Sequence, residues 1–240
     1  MNAHTKIGVQ IHRGFEQGSE QWVQARCGLL TASEFDRILT PTLKIASNVK
    51  ERAHLWEMAA QRISGFVEPR YVSDAMLRGR EDEVAARELY SQRYAPVTQC
   101  GLVTNNKWGF TLGCSPDGLV GRDGIIEAKS RDQRFQVQTV FENLWTDKAK
   151  TIPEDYVLQV QGSLLVTERK WLDFISYSAG LPMVVLRVYP DPVVHEAILD
   201  AASKFESRIS EAVAAYYGAL KKYPKRLTAT ERHIEEDMVI

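Results

Sequence analysis

The stretch CSPDGLVGRDGIIEAKS, Cys114 to Ser130, sets Asp117 behind a proline and places Glu127-Ala128-Lys129 at the end of an apolar run. In an extended segment alternate side chains share a face, so Glu127 and Lys129 point together while Ala128 points the other way and can pack. A turn at Gly121 to Gly124 folds the preceding strand back and carries Asp117 toward the same end of the sheet. Asp117, Glu127 and Lys129 then converge, and the main-chain carbonyl of Ala128 can face the same cluster. Oxygen ligands of this kind suit Mg2+, which keeps several waters and takes the rest of its shell from a few carboxylates and substrate phosphates. Such an ion acidifies a water and polarises a phosphoryl oxygen, and a neighbouring ammonium can position the water or offset charge on the phosphate. By spacing alone, two acids and a lysine are more often a solvated face. Ile125 and Ile126 weigh against that reading, because they make the strand central, where charges are costly unless paired or metal-bound.

The elements that must hold this cluster are legible in outline. SEQWVQARCG reads as a helix capped by Ser19 and stopped at Gly28. TASEFDRIL reads as a short helix capped by Ser33, with Asp36 completing a capping box. A longer amphipathic helix runs from Asn48 to Gly65, and another begins at Asp74 with Leu77, Val84 and Leu89 among its apolar positions. PVTQCGLVTN and WGFTLGCSP read as two strands and IIEAK as a third. A helix over 133–145 follows, then one in PEDYVLQVQGSLLVTE with Pro153 suited to its first turn. Two more strands, WLDFISYS and PMVVLRVYP, precede a long closing helix from Asp191 to Leu220. Trp108, Trp145 and Trp171 are expected in the core. The sum is one α/β domain over 1–220, a mixed sheet flanked by helices, with a loosely held tail over 221–240.

Bulk properties narrow the function. The 240 residues carry a net charge of −1, 44% hydrophobic and 25% charged side chains, ordinary values for a globular protein. That balance excludes a wholly basic nucleic-acid-coating protein but leaves room for a local basic patch. No secretory h-region and no apolar run of bilayer length is present, so no membrane association is expected. Cys27, Cys100 and Cys114 form no CxxC pair, and no HxxxH occurs. A disulfide scaffold, a structural zinc site and an iron–sulfur site are therefore disfavoured, and a reducing, cytoplasmic setting is expected.

Four segments, in order, resemble the lambda-exonuclease or YqaJ-like viral recombinase family within the PD-(D/E)xK nucleases. RCGLLTASEF (Arg26 to Phe35) resembles its R-x-G-x-x-T-A-S element, and GREDEVAAR (Gly79 to Arg87) its helical glutamate segment. Ser115-Pro116-Asp117 with Glu127-Ala128-Lys129 matches the nuclease signature, and YVLQVQGSLLVT (Tyr156 to Thr167) resembles the Q-x-Q helix. The resemblance implies a restriction-endonuclease-like PD-(D/E)xK core. It also implies a Mg2+-dependent exonuclease that digests one strand of linear duplex DNA from its 5' end. Such an enzyme releases 5'-mononucleotides and leaves a 3' tail for a single-strand annealing protein. A ring-shaped homotrimer, one or two Mg2+ ions with Mn2+ as a substitute, and a phage or prophage origin in a bacterial cytoplasm are implied in the same way.

Carried over by position, Asp117, Glu127 and the Ala128 carbonyl become metal ligands, and Lys129 orients or activates the water. Glu83 supports a second ion; Glu81, Asp82 and Glu88 lie close in sequence, and Gly79 and Arg87 set the register. Gln159 stands beside the catalytic lysine, with Gln161 as the competing choice. Arg26, Ser33 and Ser115 bind phosphate, the terminal 5'-phosphate of the digested strand. A guanidinium matches phosphate oxygens, and a hydroxyl at a helix start sits beside free N–H groups. Met76 or Leu77 falls where the family places a strand-separating wedge. Arg52, Arg62, Arg70, Arg78, Arg131 and Arg134 are candidates for a DNA path, and a charge census does not choose among them. The competing readings are a structure-specific or restriction-type endonuclease on the same core, which would cut closed circles, and a non-catalytic DNA-binding module, which would hold DNA equally without Mg2+.

Overall fold

The computed structural model describes residues 7–69, 73–146 and 152–232. Arg70 and the end of the C-terminal tail therefore lie outside the described residues. The elements are β1 (Val9–His12), α1 (Glu20–Ala25), β2 (Leu30–Thr31), α2 (Phe35–Ile38), α3 (Val49–Ser64), α4 (Asp74–Arg93), β3 (Val97–Thr98), β4 (Leu102–Asn105), β5 (Leu112–Cys114), β6 (Gly118–Val120), β7 (Gly124–Ser130), α5 (Gln133–Val140), α6 (Val157–Thr167), β8 (Trp171–Tyr177), β9 (Val184–Val188) and α7 (Pro192–Lys222). They form a mixed α/β fold with two sheets, in the orders β1-β4-β5-β2 and β3-β6-β7-β8-β9, flanked by helices. No helix among the described residues is long and apolar enough to cross a membrane.

The site depends on β7. It pairs antiparallel with β6 through the Gly121 turn, where φ is +52°, a conformation glycine adopts without strain. It pairs parallel with β8, and the crossover runs through α5 and α6. Alternation along β7 then separates two faces. Ile125 joins the main core, which also takes in Leu158, Val160 and Leu164 of α6, whereas Ile126 and Ala128 pack with Ala86 and Tyr90 of α4. Glu127 and Lys129 thus fall on the α6 side, and Ser130 on the α4 side, where its hydroxyl donates to Asp82. The α6 helix packs against the turn at Ala32–Glu34 and against α2; a Cβ on Gly162 would meet Phe35 at 2.4 Å.

Local capping signals hold at several termini. Ser19, Asn48 and Ser73 accept hydrogen bonds from Trp22, Glu51 and Met76, and Gly65 ends α3 at φ +66°. Other expectations need correction. The helix start near Ser33 is closed two residues earlier: the Glu34 carboxylate accepts from both the N–H and the hydroxyl of Thr31, so Ser33 is not the cap. The expected strand PVTQCGLVTN is two strands in different sheets, because the chain crosses between them at Gln99–Gly101. On α4, Leu77 and Val84 are exposed and the packing falls to Ala86 and Tyr90. Trp145 is 79% exposed rather than in the core, while Trp108 and Trp171 are partly buried against it. The closing helix runs two residues beyond Leu220; residues 223–232 are exposed, with Arg232 stacked 3.5 Å from the centre of the Phe66 ring.

Candidate active site

Asp117 lies in the link between β5 and β6 and is buried. Its N–H donates to the Ile126 carbonyl, and its Oδ2 accepts from the Ala128 N–H at 2.6 Å. The β6 ladder ends at Gly118, which leaves the β6-side main chain of Ala128 without a strand partner and open to this contact. Because an extended residue sends its N–H and C=O to the same side, the Ala128 carbonyl faces that flank too. Glu127 is also buried, and its Oε1 accepts from Lys129 Nζ at 2.7 Å and from Gln159 Nε2. Gln159 therefore stands at the cluster. Gln161 does not: it donates to the Tyr189 carbonyl and accepts from Asp191 N–H, joining α6 to the start of α7.

Glu83 reaches the cluster from α4, with its carboxylate held by Arg87 at 3.0 Å. Arg87 also donates to the Asp117 carbonyl at 3.4 Å. Burial first, then the charges of Glu127 and Glu83, push the Asp117 carboxyl well above the ordinary range, and Lys129 offsets only part of this. For Lys129, burial disfavours the ammonium, but Glu127 and Asp117 outweigh it and hold the pKa above that of an ordinary lysine.

The donor set fits a hard divalent cation. Carboxylates that each raise the cost of the others' charge in a desolvated corner favour a cation beside them, and the acids and the Ala128 carbonyl offer it oxygen. Among the described residues no three Asp, Glu, His or Cys side chains are drawn together tightly enough to enclose an ion by themselves. The protein's share would be Asp117, Glu127 and the Ala128 carbonyl, with water and phosphate completing the shell. The three cysteines are free, and burial pushes the thiols of Cys100 and Cys114 up, away from metal-binding thiolates.

Beside this corner is a second cluster. The Arg26 guanidinium donates to Ser115 Oγ and to Thr31 Oγ1, each at 2.9 Å, and lies 4.4 Å from the Trp22 ring centre. Ser33 Oγ is 3.3 Å from Thr31 Oγ1, and Trp22 Nε1 donates to Ser115 Oγ. Arg26, Ser33 and Ser115 thus come together, joined by Thr31 and Trp22, which sequence reasoning had not assigned. Thr31 was visible as the threonine of the R-x-G-x-x-T-A-S element. Met76 is half-exposed two helical turns before Glu83. Of the arginines, Arg62 is committed to Glu206 and the Gly28 carbonyl, Arg78 to Asp132, and Arg131 to the Tyr156 hydroxyl. Arg134 stacks on Phe135.

A sheet carrying paired carboxylates and a lysine at the end of one hairpin, braced by helices, is the fold of the PD-(D/E)xK alkaline exonucleases. The chain belongs to the YqaJ-like viral recombinase domain family, whose model matches residues 21–170. The structure is similar to an alkaline exonuclease, LHK-Exo, from Laribacter hongkongensis, with 29% identity and a TM-score of 0.70 over 88% of this chain and 100% of that one. It is similar to the same exonuclease in complex with dAMP, with 29% identity and a TM-score of 0.72 over 87% of this chain and 100% of that one. A phage-related exonuclease from Haemophilus somnus 129PT shares the fold, at 13% identity and a TM-score of 0.55 over 78% of this chain and 96% of that one. No curated protein matches at a significant level.

Proposed function

We propose that this protein is a Mg2+-dependent 5'-to-3' exonuclease on linear double-stranded DNA, releasing 5'-mononucleotides and leaving 3' tails for recombination by single-strand annealing. The observation that carries the reading is the convergence of Asp117, Glu127, Lys129 and Gln159 with Glu83 at the open end of the β6–β7 hairpin. Asp117, Glu127 and the Ala128 carbonyl would hold the ion, with Glu83 exchanging Arg87 for a second one. When bound, the ion supplies charge neutralisation and Lewis acidity at the phosphoryl group. Lys129, held by Glu127, orients the attacking water and offsets charge on the phosphate. Gln159 keeps Glu127 in its rotamer.

Arg26, Thr31, Ser33 and Ser115 bind the terminal 5'-phosphate, which registers the strand so that the acids meet the next phosphodiester. Release of single nucleotides follows from that spacing, and the dAMP complex of LHK-Exo supports a mononucleotide product. Met76 serves as the wedge that parts the strands. Residues 1–220 act as one exonuclease domain with 221–240 as a tail. The enzyme works in a bacterial cytoplasm as a ring-shaped homotrimer, and a single-strand annealing protein takes over its 3' tail. Phosphate contacts alone give tracking without sequence preference.

The test uses Mg2+ and three DNAs: a duplex labelled at a 5'-phosphorylated end, the same duplex labelled at the 3' end, and a closed circle. Early release of the 5' label as a mononucleotide is expected, with the circle intact and Glu127→Ala inactive. Cutting of the circle would replace this reading with an endonuclease, and no metal-dependent cleavage would leave a binding module.

A further inference from the structure

An open cleft of about 580 Å³ runs between the loop at Arg13–Gly18 and one face of α4, and it ends at Asp117 and Glu83. Its cationic lining is Arg13, Arg80 and Arg87, none of which the sequence had placed on a DNA path. Arg87 is occupied by Glu83 and by the Asp117 carbonyl. Arg13 and Arg80 differ: both are exposed, and neither has an ion-pair or hydrogen-bond partner among the described residues. Arg80 reaches across the cleft to the turn at Gly18, where φ is +86°, its Nη2 lying 3.9 Å from the position a Cβ there would take. The loop is tied to the acids by Gln17, which donates to the carbonyls of Ser115 and Pro116. Glu16 is the one acid on the outer part of the cleft, against two arginines.

Free guanidiniums facing a cleft that ends at phosphodiester chemistry have a natural ligand in phosphate. Arg80 precedes Glu83 by three residues, about 4.5 Å of helix rise, so a strand with one phosphate at the acids presents its neighbour to Arg80. We infer that Arg13 and Arg80 form a second phosphate site, gripping the backbone of the digested strand next to the scissile phosphate. Its arginines are different from that of the Arg26 cluster, which adjoins the cleft through Trp22. The inference rests on the nuclease reading for which strand is held, and on the cleft alone for what is held.

Binding of the full-length protein to a 5'-phosphorylated duplex with an unpaired end is measured by fluorescence anisotropy over a salt series, with Ca2+ replacing Mg2+ so that cleavage does not contribute. Removing one phosphate-binding side chain lowers the slope of log K against log salt by roughly 0.7 to 1. Arg13→Gln/Arg80→Gln is expected to lower that slope by roughly 1.4 to 2 and to weaken binding equally for unrelated sequences. Arg13→Lys/Arg80→Lys is expected to restore most of the slope. Lys204→Gln, on the exposed face of α7, is expected to leave it unchanged. A double glutamine variant with wild-type slope overturns the inference, as does a wild type that binds no DNA. An arginine-dependent slope in a protein that does not cut DNA would keep the cleft and discard the nuclease reading; cleavage with an arginine-independent slope would do the reverse.

Discussion

Asp117 and Asp173 are both buried, at 7% and 2% exposure, in the same five-stranded sheet region, and both are approached by α4. Asp173, on β8, is fully compensated. It accepts from Tyr90 Oη at 2.6 Å and from Arg187 Nε and Nη2 at 2.7 and 2.8 Å, and Arg187 in turn stacks 3.8 Å from the Trp171 ring centre. The hydrogen bond to Asp173 raises the Arg187 pKa despite burial, and burial followed by Asp173 raises that of Tyr90, so both groups keep their protons. Asp117 has a single backbone N–H and no ion-pair partner among the described residues, and it faces two further carboxylates. The contrast separates a buried acid that holds the fold together from one whose charge no side chain offsets directly, the acid proposed above as a cation ligand. The two are also linked: Tyr90 and Glu83 lie seven residues apart on α4, two helical turns, so the Tyr90–Asp173 bond helps set where Glu83 meets Asp117.

The comparison can be broken most severely at the compensated acid. Asp173→Ala leaves the buried Tyr90 hydroxyl without its acceptor and the half-exposed Arg187 without its partner, and a loss of about 2 kcal/mol is expected in urea unfolding, since a buried polar group left unsatisfied costs about 1 to 3 kcal/mol. Asp117→Asn has the opposite sign in the ion-free protein. An acid whose folded pKa is raised is penalised above that pKa and not below its unfolded one. The variant should therefore match wild type in acid and exceed it by about 1 to 2 kcal/mol near neutral pH, read from melting temperature against pH. The smallest effect sharpens the contrast. Mg2+ at about ten times its Kd should stabilise wild type by about 1.4 kcal/mol and Asp117→Asn by much less, measured by thermal shift. Equal stabilisation of both proteins would remove Asp117 from the ion site.

The acid pair was legible because its information is local. Alternation in IIEAK and the GRDG turn suffice to bring Asp117, Glu127 and Lys129 to one end of a hairpin. The caps at Ser19, Asn48 and Ser73 are likewise short-range. The errors share a different cause. Thr31 rather than Ser33 closes its turn because Glu34 reaches back to it. Gln159 and Gln161 are alike in sequence, and their roles separate only through Glu127 and Tyr189, which lie about thirty residues away on either side. Leu77, Val84 and Trp145 carry apolar side chains that no partner covers among the described residues, which hydrophobic pattern does not reveal.

The sequence by itself determined the chemistry on offer: an oxygen donor set, a lysine two residues from a buried glutamate, and four ordered segments that place the chain in its family. Only the tertiary structure decided which charges are free to use that chemistry. Arg62 and Arg187 are spent on partners that the fold brings beside them, while Arg13 and Arg80 line the cleft with no partner among the described residues. The physical reason is that ion pairing is set by distance in space, and Arg62 and Glu206 are separated by 144 residues of chain and 2.7 Å of structure.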